Sequence, residues 1–275
     1  MVSTVDNAFI KQFEREVHEA FQRQGSKLRG TVRSKNNVRG ASTYFQTIGK
    51  GTAATKTRHD FVPVMDVAHA AVEVSLSDYY AGEWIDRLDE LKLNIDERAV
   101  AANAGAYALG RKTDELIITA LGTATSESAD NTTGLTKDKV FEALETLGDN
   151  DVPDDGQRYA VVGHKQWSEL VQIEEFSSAD YVGLQNLPYN GLQVKNWLGV
   201  SWIPMTGLPV DGGDVRTCFI YHKNAIAHAS AMDIQTDITW HGDRAAYFVN
   251  NMMSQGAGLV DDTGVFKLLC DETPA

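Results

Sequence analysis

The sequence predicts an α+β fold, with helices in the first half of the chain and short strands in the second. The strongest helix signal covers residues 95–121, where acids occupy the first turn and Gly122 follows the end. After residue 158 the pattern changes to short apolar strands separated by turn sequences such as PYNG and GLPVDGGD. Before the long helix, residues 25–60 are rich in Gly and Thr and show little apolar periodicity, which is typical of a functional or mobile segment.

Charge is distributed unevenly along the chain. Residues 25–60 carry eight Lys and Arg residues and no acid before Asp60. Residues 1–60 hold eleven Lys and Arg against five Asp and Glu, residues 61–275 hold fourteen against thirty-three, and the whole chain has a net charge of -13. Such an asymmetry indicates either an arm that binds nucleic acid or an arm that docks on the acidic body of another copy.

The first 77 residues predict an arm followed by a hairpin. Residues 6–24 predict a helix with an aromatic stripe spaced by four, formed by Phe9, Phe13, Val17 and Phe21. A stripe this narrow needs a second surface to bury it, from the same chain or from a neighbour. Residues 25–77 predict a long two-stranded excursion, which leaves along KLRGTVRS and returns along HDFVPVM to VEVSL.

The remaining elements follow from local periodicity. Residues 78–93 predict a mixed, partly helical entry, and residues 137–147 predict a shorter helix that ends at Gly148. The middle of the long helix is built of small residues, which allow another element to lie close against it: Ala101, Ala102, Ala104, Gly105, Ala106 and Ala108. Then come the strand RYAVV, the short helix GHKQWSELV and the strands LQVKNWLG, VSWIPM, VRTCFIYH, AIAHAS, DIQTDITW, AAYFVNN, GAGLV and VFKLLC.

No motif predicts catalysis, a cofactor or a metal. The IGKGT sequence lacks the first Gly of a phosphate-binding loop, because that position is Tyr44, and the acidic GDNDVPDDG turn fails the spacing of an EF-hand. The seven His residues show no zinc-ligand spacing, and no nucleophile motif is present. Cys218 and Cys270 lie in apolar runs and predict buried thiols in a reducing compartment. The sequence also shows no signal peptide and no apolar run long enough to span a membrane.

The order of these elements resembles a known family. The most telling stretches are Asp78–Ile85 (DYYAGEWI), Arg111–Gly122 (RKTDELIITALG), Tyr159–Leu170 (YAVVGHKQWSEL) and the ending Gly256–Leu268 (GAGLVDDTGVFKL). Together with the arm helix and the long basic hairpin, they resemble the major capsid protein of tailed bacteriophages, which has the HK97-like fold. The resemblance covers essentially the whole chain.

The resemblance implies an N-terminal arm at residues 1–24, an extended loop at 25–77, a peripheral domain at 78–157 with a spine helix at 95–121, an axial domain at 158–231, and return strands with a C-terminal strand at 232–275. It implies a non-enzymatic protein without cofactors that self-assembles through pentamers and hexamers into the icosahedral head around double-stranded DNA. The implied partners are other copies of the chain, scaffolding, portal and decoration proteins, and packaged DNA held non-specifically, with no membrane. The implied location is the virion, after assembly in the cytoplasm of the bacterial host.

Two further expectations come from the family. Many relatives begin with a scaffolding segment that a protease removes, whereas this chain begins almost directly at the arm, so a separate scaffolding protein, or none, is implied. The name-giving member cross-links a loop Lys to an Asn of a neighbour. Lys50 and Lys56 lie in the loop here, and Asn250 and Asn251 lie late in the chain, but nothing in the sequence makes these residues partners.

The contacts between copies are predicted from charge and from the aromatic stripe. Residues 78–97 hold seven acids against two bases, so we expect the basic loop of one copy to lie over this region of the next. The predicted contact set contains aromatic residues of the arm, basic residues of the loop and acids of the receiving region: Phe9, Phe13, Phe21, Arg29, Arg33, Arg39, Lys50, Lys56, Arg58, Asp86, Asp89 and Glu90.

Three alternatives remain at the level of sequence. An encapsulin-like shell of a bacterial nanocompartment shares the same fold. A nucleic-acid-binding protein could use the basic segment, although Tyr44 and Phe45 are its only aromatic residues and the acidic body would repel a polyanion. The basic charge could also serve only to keep a mobile loop in solution.

Overall fold

A computed structural model describes residues 25–90, 96–177 and 195–273, except for the side chains of residues 89–90. The chain divides into two compact units. Within the described residues, the smaller unit contains residues 25–26, 78–90, 96–112 and 232–254, and the larger unit contains residues 27–77, 113–177, 195–231 and 255–273. The predicted arm helix at residues 6–24, with Phe9, Phe13, Val17 and Phe21, lies outside the described residues and stays a prediction.

The strands of the described residues form three sheets, and helices separate some of these strands along the chain. The strands are β1 Arg33–Lys35, β2 Ser42–Ile48, β3 His69–Ser75, β4 Ser77–Asp86, β5 Arg158–Val162, β6 Lys195–Trp197, β7 Val200–Pro204, β8 Val215–His222, β9 Ile226–His241, β10 Ala246–Leu259 and β11 Val265–Asp271. The helices are α1 Arg87–Glu90, α2 Glu97–Gly122, α3 Lys137–Asp149, α4 His164–Gln172 and α5 Glu174–Ser177. The sheets have the strand orders β1-β9-β10-β4, β11-β8-β5-β7-β6 and β2-β3.

The core of the larger unit lies around the five-stranded sheet. Strand β5 pairs in parallel with β7 and antiparallel with β8, and β8 pairs antiparallel with β11. The run RYAVV is apolar because β5 is central in this sheet and is buried on both faces. Trp167 and Leu170 of α4 and Val140 and Leu147 of α3 belong to the same buried cluster as the strands, which explains the amphipathic spacing of both helices.

Polar side chains connect α3 to its surroundings in the larger unit. Thr136 caps α3 by accepting a hydrogen bond from the Lys139 N–H. The Lys139 side chain is buried, and its Nζ donates to the carbonyls of Thr133 and Leu269 at 2.7 Å each. These bonds satisfy an ammonium group that would otherwise be costly to bury.

The predicted hairpin is present, but its first strand is not where the sequence placed it. Strands β2 and β3 pair antiparallel from Ser42 with Ser75 to Ile48 with His69. The predicted outgoing strand KLRGTVRS is wrong: Leu28 and Val32 are buried in the core of the larger unit, and a 3-10 turn joins them. Asp114 of α2 holds this turn, because its carboxylate accepts the N–H groups of Lys27 and Leu28 at 3.1 and 3.0 Å.

The return side of the hairpin also begins later than expected. Phe61–Met65 was predicted as part of the returning strand, but the strand begins at His69. Pro63 interrupts the earlier stretch and cannot donate to a ladder, so the alternating pattern there does not produce pairing. The segment between the strands, residues 49–68, is called the loop tip below; it reverses direction at Thr57–Asp60, where the Asp60 N–H donates to the Thr57 carbonyl at 3.2 Å.

The smaller unit packs the first half of α2 against the sheet strands β4, β10 and β9. Ile85 of β4, Ala101 of α2 and Val249 of β10 form its buried cluster. The helix runs over Glu97–Gly122, close to the predicted 95–121. The prediction that its small residues admit a close neighbour is confirmed at Gly105, where an added Cβ would overlap the side chain of Asn251.

Two predicted pairs of strands are single long strands in the structure. The stretches AIAHAS and DIQTDITW both belong to β9, and AAYFVNN and GAGLV both belong to β10. The sequence predicted that one strand ends at Asn251 and that the next begins at Gly256. Gly256 instead permits a close approach of the backbone at Ser75, where a side chain would collide with the carbonyl oxygen.

Candidate assembly surfaces

The loop tip presents a cluster of apolar side chains to solvent. Phe61 is 94% exposed and Val64 is 91% exposed, and Val62 and Met65 are also exposed. All four lie on a segment without strand pairing, next to the basic residues Lys56 and Arg58 of the same tip. An exposed apolar cluster rimmed by charge is typical of a surface that another protein covers.

The base of the loop tip is connected to its own chain. The Lys50 ammonium lies 2.5 Å from the Asp151 carboxylate and 3.3 Å from the Asn150 carbonyl. The hydrogen bond from Lys50 holds the pKa of Asp151 below its usual range. Both side chains are largely exposed, so water screens the attraction and the pair adds little to the stability of the fold. Lys50, which was predicted to contact a neighbouring copy, therefore has a partner within its own chain.

The other basic residues of the predicted contact set lie either on the loop tip or at the root of the hairpin, which is the segment 29–39 before β2. Arg29 is half-buried and donates to the Asn36 side chain at 3.3 Å. Arg33 lies with its guanidinium 5.5 Å from the centre of the Phe45 ring, which anchors its stem while leaving the residue exposed. Arg39, Lys56 and Arg58 are exposed.

The predicted acidic contacts lie at and beyond the end of β4. Asp86 is exposed and accepts the Leu88 N–H at 2.7 Å, which positions its carboxylate at the start of α1. Asp89 and Glu90 belong to α1, but their side chains lie outside what the structure describes. A contact between this acidic set and the basic set of another copy stays a prediction.

The sheet face of the smaller unit opposite α2, called the outer face below, carries an aromatic cluster that the sequence did not reveal. Trp84 packs on Phe248 with ring centres 4.5 Å apart and on His241 at 4.9 Å. The Arg244 guanidinium lies 4.3 Å from the centre of the Trp84 ring. Gly82 gives Phe248 its space, since an added Cβ would lie 2.6 Å from that ring.

Alternation along the strands adds exposed groups to the outer face. Tyr80 lies two residues before Gly82 on β4 and is 67% exposed, and Asp86 lies two residues after Trp84. On β9, Asp237 has the same orientation as His241 by the same alternation. Period two identifies the two faces of such a strand, but it does not say which face α2 covers, so the sequence alone could not select these residues.

Among the residues considered for cross-linking and thiol chemistry, Asn251 and both cysteines are buried. Asn251 is buried, accepts the Thr236 hydroxyl at 2.5 Å and donates to the Ala81 carbonyl at 3.3 Å, so its amide is committed within the smaller unit. A hydrogen bond with Cys218 and burial raise the pKa of Cys270, which keeps this thiol protonated. Among residues 25–90, 96–177 and 195–273, no cluster of His, Cys, Asp and Glu could hold a metal ion.

Comparison with known proteins identifies the family. A family model described as phage capsid protein matches residues 5–272. The chain belongs to the phage capsid protein family. The match extends from the predicted arm to the last strand, so the membership covers both units and the hairpin. A comparison with curated proteins gives no match.

Solved capsid structures share the fold of this capsid protein. The capsid structure of cyanophage P-SCSP1u superposes with a TM-score of 0.79 at 17% identity, over 98% of this chain and 95% of that chain. The Mycobacterium phage Che8 structure gives 0.73 at 17% identity over 96% and 98%, and the capsid of Ralstonia phage GP4 gives 0.68 at 12% identity over 100% and 99%. The predicted HK97-like α+β fold is confirmed.

Family and fold together make this capsid protein the major capsid protein of an icosahedral phage head, as the sequence predicted. They do not favour an encapsulin-like compartment or a nucleic-acid-binding protein. Membership in this family indicates a structural component of the virion that associates with copies of itself. In the part of the chain that the structure describes, none of the helices has the length and apolar character needed to cross a membrane.

Proposed function

We propose that this capsid protein closes its shell, through pentamers and hexamers, by laying the loop tip of one copy over the outer face of the next copy. The exposure of Phe61, Val62, Val64 and Met65 on the loop tip carries the proposal. Leaving such side chains in water is unfavourable, and covering them at every interface would contribute to closing the shell.

The two surfaces are chemically complementary. The loop tip carries Lys56 and Arg58 beside its apolar cluster, and the outer face carries the exposed aromatic residues Tyr80 and Trp84 with Asp86 close by in sequence. One exposed ion pair contributes roughly 0–1 kcal/mol. We therefore assign most of the interface energy to the apolar contact, and assign to the charges the choice of neighbour and register.

The reach of the hairpin supports a contact beyond its own subunit. Strands β2 and β3 have seven residues each, about 3.3 Å per residue, and the loop tip extends further. Arg29, Arg33 and Arg39 lie at the root of this hairpin, so we place their contacts with the neighbour nearer the body than those of Lys56 and Arg58. Asp89 and Glu90 would extend the acidic receiving region beyond Asp86.

The arm and the boundaries of the predicted domains complete the proposal. Phe9, Phe13 and Phe21 would bury their stripe on another copy. The arm at 1–24, the extended loop at 25–77, the peripheral domain at 78–157, the axial domain at 158–231 and the segment 232–275 retain their proposed roles. Packaged double-stranded DNA held non-specifically, scaffolding, portal and decoration proteins as partners, and assembly in the host cytoplasm follow from the role of a phage head.

A charge exchange across the contact tests the proposal. Lys56→Glu with Arg58→Glu should abolish shell assembly, because the loop tip then meets Asp86 and Asp89 with the same sign of charge. Adding Asp86→Lys with Asp89→Lys to the same chain should restore part of the particle yield. Negative-stain electron microscopy and sedimentation of the purified protein measure the yield.

A matched control separates contact from net charge. Asp138→Lys with Glu145→Lys adds the same charge to the loop variant at two exposed positions of α3, which belongs to neither surface, and should rescue nothing. Rescue by the α3 pair would show that only net charge matters. Normal shells from the loop variant would mean that the tip is not an interface, and normal shells that fail to package DNA would mean that the tip contacts nucleic acid instead.

A further inference from the structure

Within the described part of the chain, strand β9 has one edge without a partner strand in the smaller unit. In the sheet order β1-β9-β10-β4, β10 pairs with one side of β9, and β1 pairs with the other side only from Ala227 to Ala229. Among the described residues, no strand pairs with Met232–Trp240 on that side. A long open edge is a template for another strand, and natural proteins usually protect it with charged side chains, especially Lys, with Pro or with a bulge. The sequence MDIQTDITW over this stretch contains neither Lys nor Pro, and its only charges are those of Asp233 and Asp237.

The orientation of the backbone groups at this edge can be assigned. The Ser230 carbonyl accepts a hydrogen bond from the Val38 N–H at 3.0 Å, on the side of β9 where β1 lies. Because N–H and C=O groups alternate between the two sides of a strand, the even-numbered residues from Met232 to Trp240 direct theirs to the open edge.

The side chains on this stretch separate apolar from acidic groups. The Thr236 hydroxyl donates to Asn251, which faces α2, so even-numbered residues lie on the α2 side of the sheet. On that side Ile234, Ile238 and Trp240 remain 36%, 44% and 43% exposed. Asp233 and Asp237 alternate to the outer face. The open edge thus has an apolar row on one face and an acidic row on the other.

We propose that β9 pairs antiparallel with β9 of a second copy, about a twofold axis at Thr236. This register places Ile234 opposite Ile238 and Met232 opposite Trp240 on the α2 side, so that all four apolar positions are covered by one another. On the outer face it places Gln235 opposite Asp237 and Asp233 opposite Thr239. Each carboxylate then faces a neutral polar group, and the even-numbered residues form the hydrogen-bonded pairs.

Neighbouring registers are less favourable for the same edge. If α2 of both copies stays on the same side of a continuous sheet, the register can shift only by two residues at a time, because a shift by one would exchange the two faces of the strand. A shift of two residues in one direction places Asp233 of each copy opposite Asp237 of the other. A shift of two residues in the other direction places Asp237 opposite Asp237 of the second copy. Like charges directly opposite each other destabilise a pair of strands. The proposed register avoids both and uses the whole open stretch.

The twofold contact differs from the loop contact and stands independently of it. A loop that covers the next copy builds a ring, because the contact is heterologous, whereas a pairing of β9 with itself is isologous and joins two copies across a twofold axis. In a closed icosahedral shell such axes relate copies in different rings. The second partner of the β9 edge is thus another copy of this chain from an adjacent pentamer or hexamer.

Cysteine pairs test the register directly. We expect particles that mix Gln235→Cys chains with Asp237→Cys chains to give, on mild oxidation with oxidised glutathione, a band at twice the chain mass on non-reducing gels. Directly opposite residues of this type lie within the separation that a disulfide spans. Particles of either single variant should give little of this band, and so should a mixture of Gln235→Cys with Thr239→Cys, which reports the shifted register.

The outcomes separate this inference from shell formation itself. Intact particles without a cross-link in the first mixture, or with equal cross-linking in the Thr239→Cys mixture, would overturn the β9 pairing and leave the capsid function standing. If the cysteine variants do not assemble, Ile234→Lys with Ile238→Lys decides: it should retain folded rings by circular dichroism and sedimentation but lose shells. Thr239→Lys, which faces Asp233 of the second copy, should retain shells. Shells from the Ile234→Lys and Ile238→Lys variant would overturn the proposal.

Discussion

Replacing Gly105 by Ala tests whether the small residues of α2 are there for packing. In an exposed helix, this change stabilises by about 1 kcal/mol, because Gly loses more backbone entropy on folding. At Gly105 the new Cβ would lie 2.8 Å from Cγ of Asn251 and 3.3 Å from the Ala81 carbonyl oxygen. Asn251 would have to move, and it is buried with a hydrogen bond on each side of its amide.

The magnitude follows from those hydrogen bonds. Displacing Asn251 would lose its bonds to Thr236 and to Ala81, and each buried polar group left without a partner costs about 1–3 kcal/mol. After subtracting the gain in helix propensity, we expect Gly105→Ala to lower the free energy of unfolding by about 1–5 kcal/mol. Gly122→Ala is the matched control, because it lies at the end of the same helix with nothing within 4 Å of an added Cβ. It should be neutral or stabilising.

Urea unfolding of unassembled protein, followed by circular dichroism, measures both changes. A double-mutant cycle sharpens the test, since Asn251→Ala removes the obstructing side chain. Gly105→Ala should cost less in the Asn251→Ala background than in the native one. The packing explanation would be refuted if Gly105→Ala stabilised the protein as Gly122→Ala does, or if its effect were the same in both backgrounds.

Three further predictions concern other contacts. Asp114→Asn should lower the free energy of unfolding in urea by about 1–3 kcal/mol. The reason is that the carboxylate accepts the N–H groups of Lys27 and Leu28 with one oxygen each, whereas an amide has only one oxygen. An unchanged urea midpoint would contradict this. The hydrogen bond and charge of Arg216 hold the pKa of Glu272 below its usual range, so the ion pair stabilises the fold fully above pH about 4.3 and loses this effect as the pH falls through the lowered pKa. Glu272→Gln should therefore make the urea midpoint less dependent on pH in the acid range. Equal acid sensitivity of the variant and the native protein would count against this. Backbone amides of residues 49–68 should exchange rapidly with deuterium in unassembled protein and slowly in shells, whereas those of β2 and β3 should be protected in both; a tip that exchanges equally in the two states would argue against the loop contact.

The sequence named charged residues for both sides of the candidate interface, but not the aromatic cluster of the outer face. The basic, unpatterned segment before residue 60 and the absence of any catalytic motif are properties of composition and spacing, so they are readable directly. The outer face could not be found in this way. Trp84 and Phe248 are distant in sequence, and only the pairing of β4 with β10 brings their rings together.

The hairpin shows the same limit in its own strands. Leu28 and Val32 sit in a segment rich in Arg and Gly, where nothing local distinguishes an exposed strand from a buried turn. Asp114, far along the chain, decides the matter by accepting the N–H groups at the start of the segment. The partner of Lys50 could not be found from the sequence either, because Asp151 lies on a different loop.

The sequence by itself determined the long helix to within two residues at its start, the buried strand β5, the basic loop and the resemblance to phage capsids, because periodicity, caps and charge are local quantities. Only the tertiary structure decided that β9 and β10 are continuous strands, which face of β4 lies against α2, and that one edge of β9 has no partner strand among the residues described. Those outcomes depend on which distant segments compete for the same surface. A strand pattern records that one face is apolar, but the partner that covers it is chosen by the whole chain.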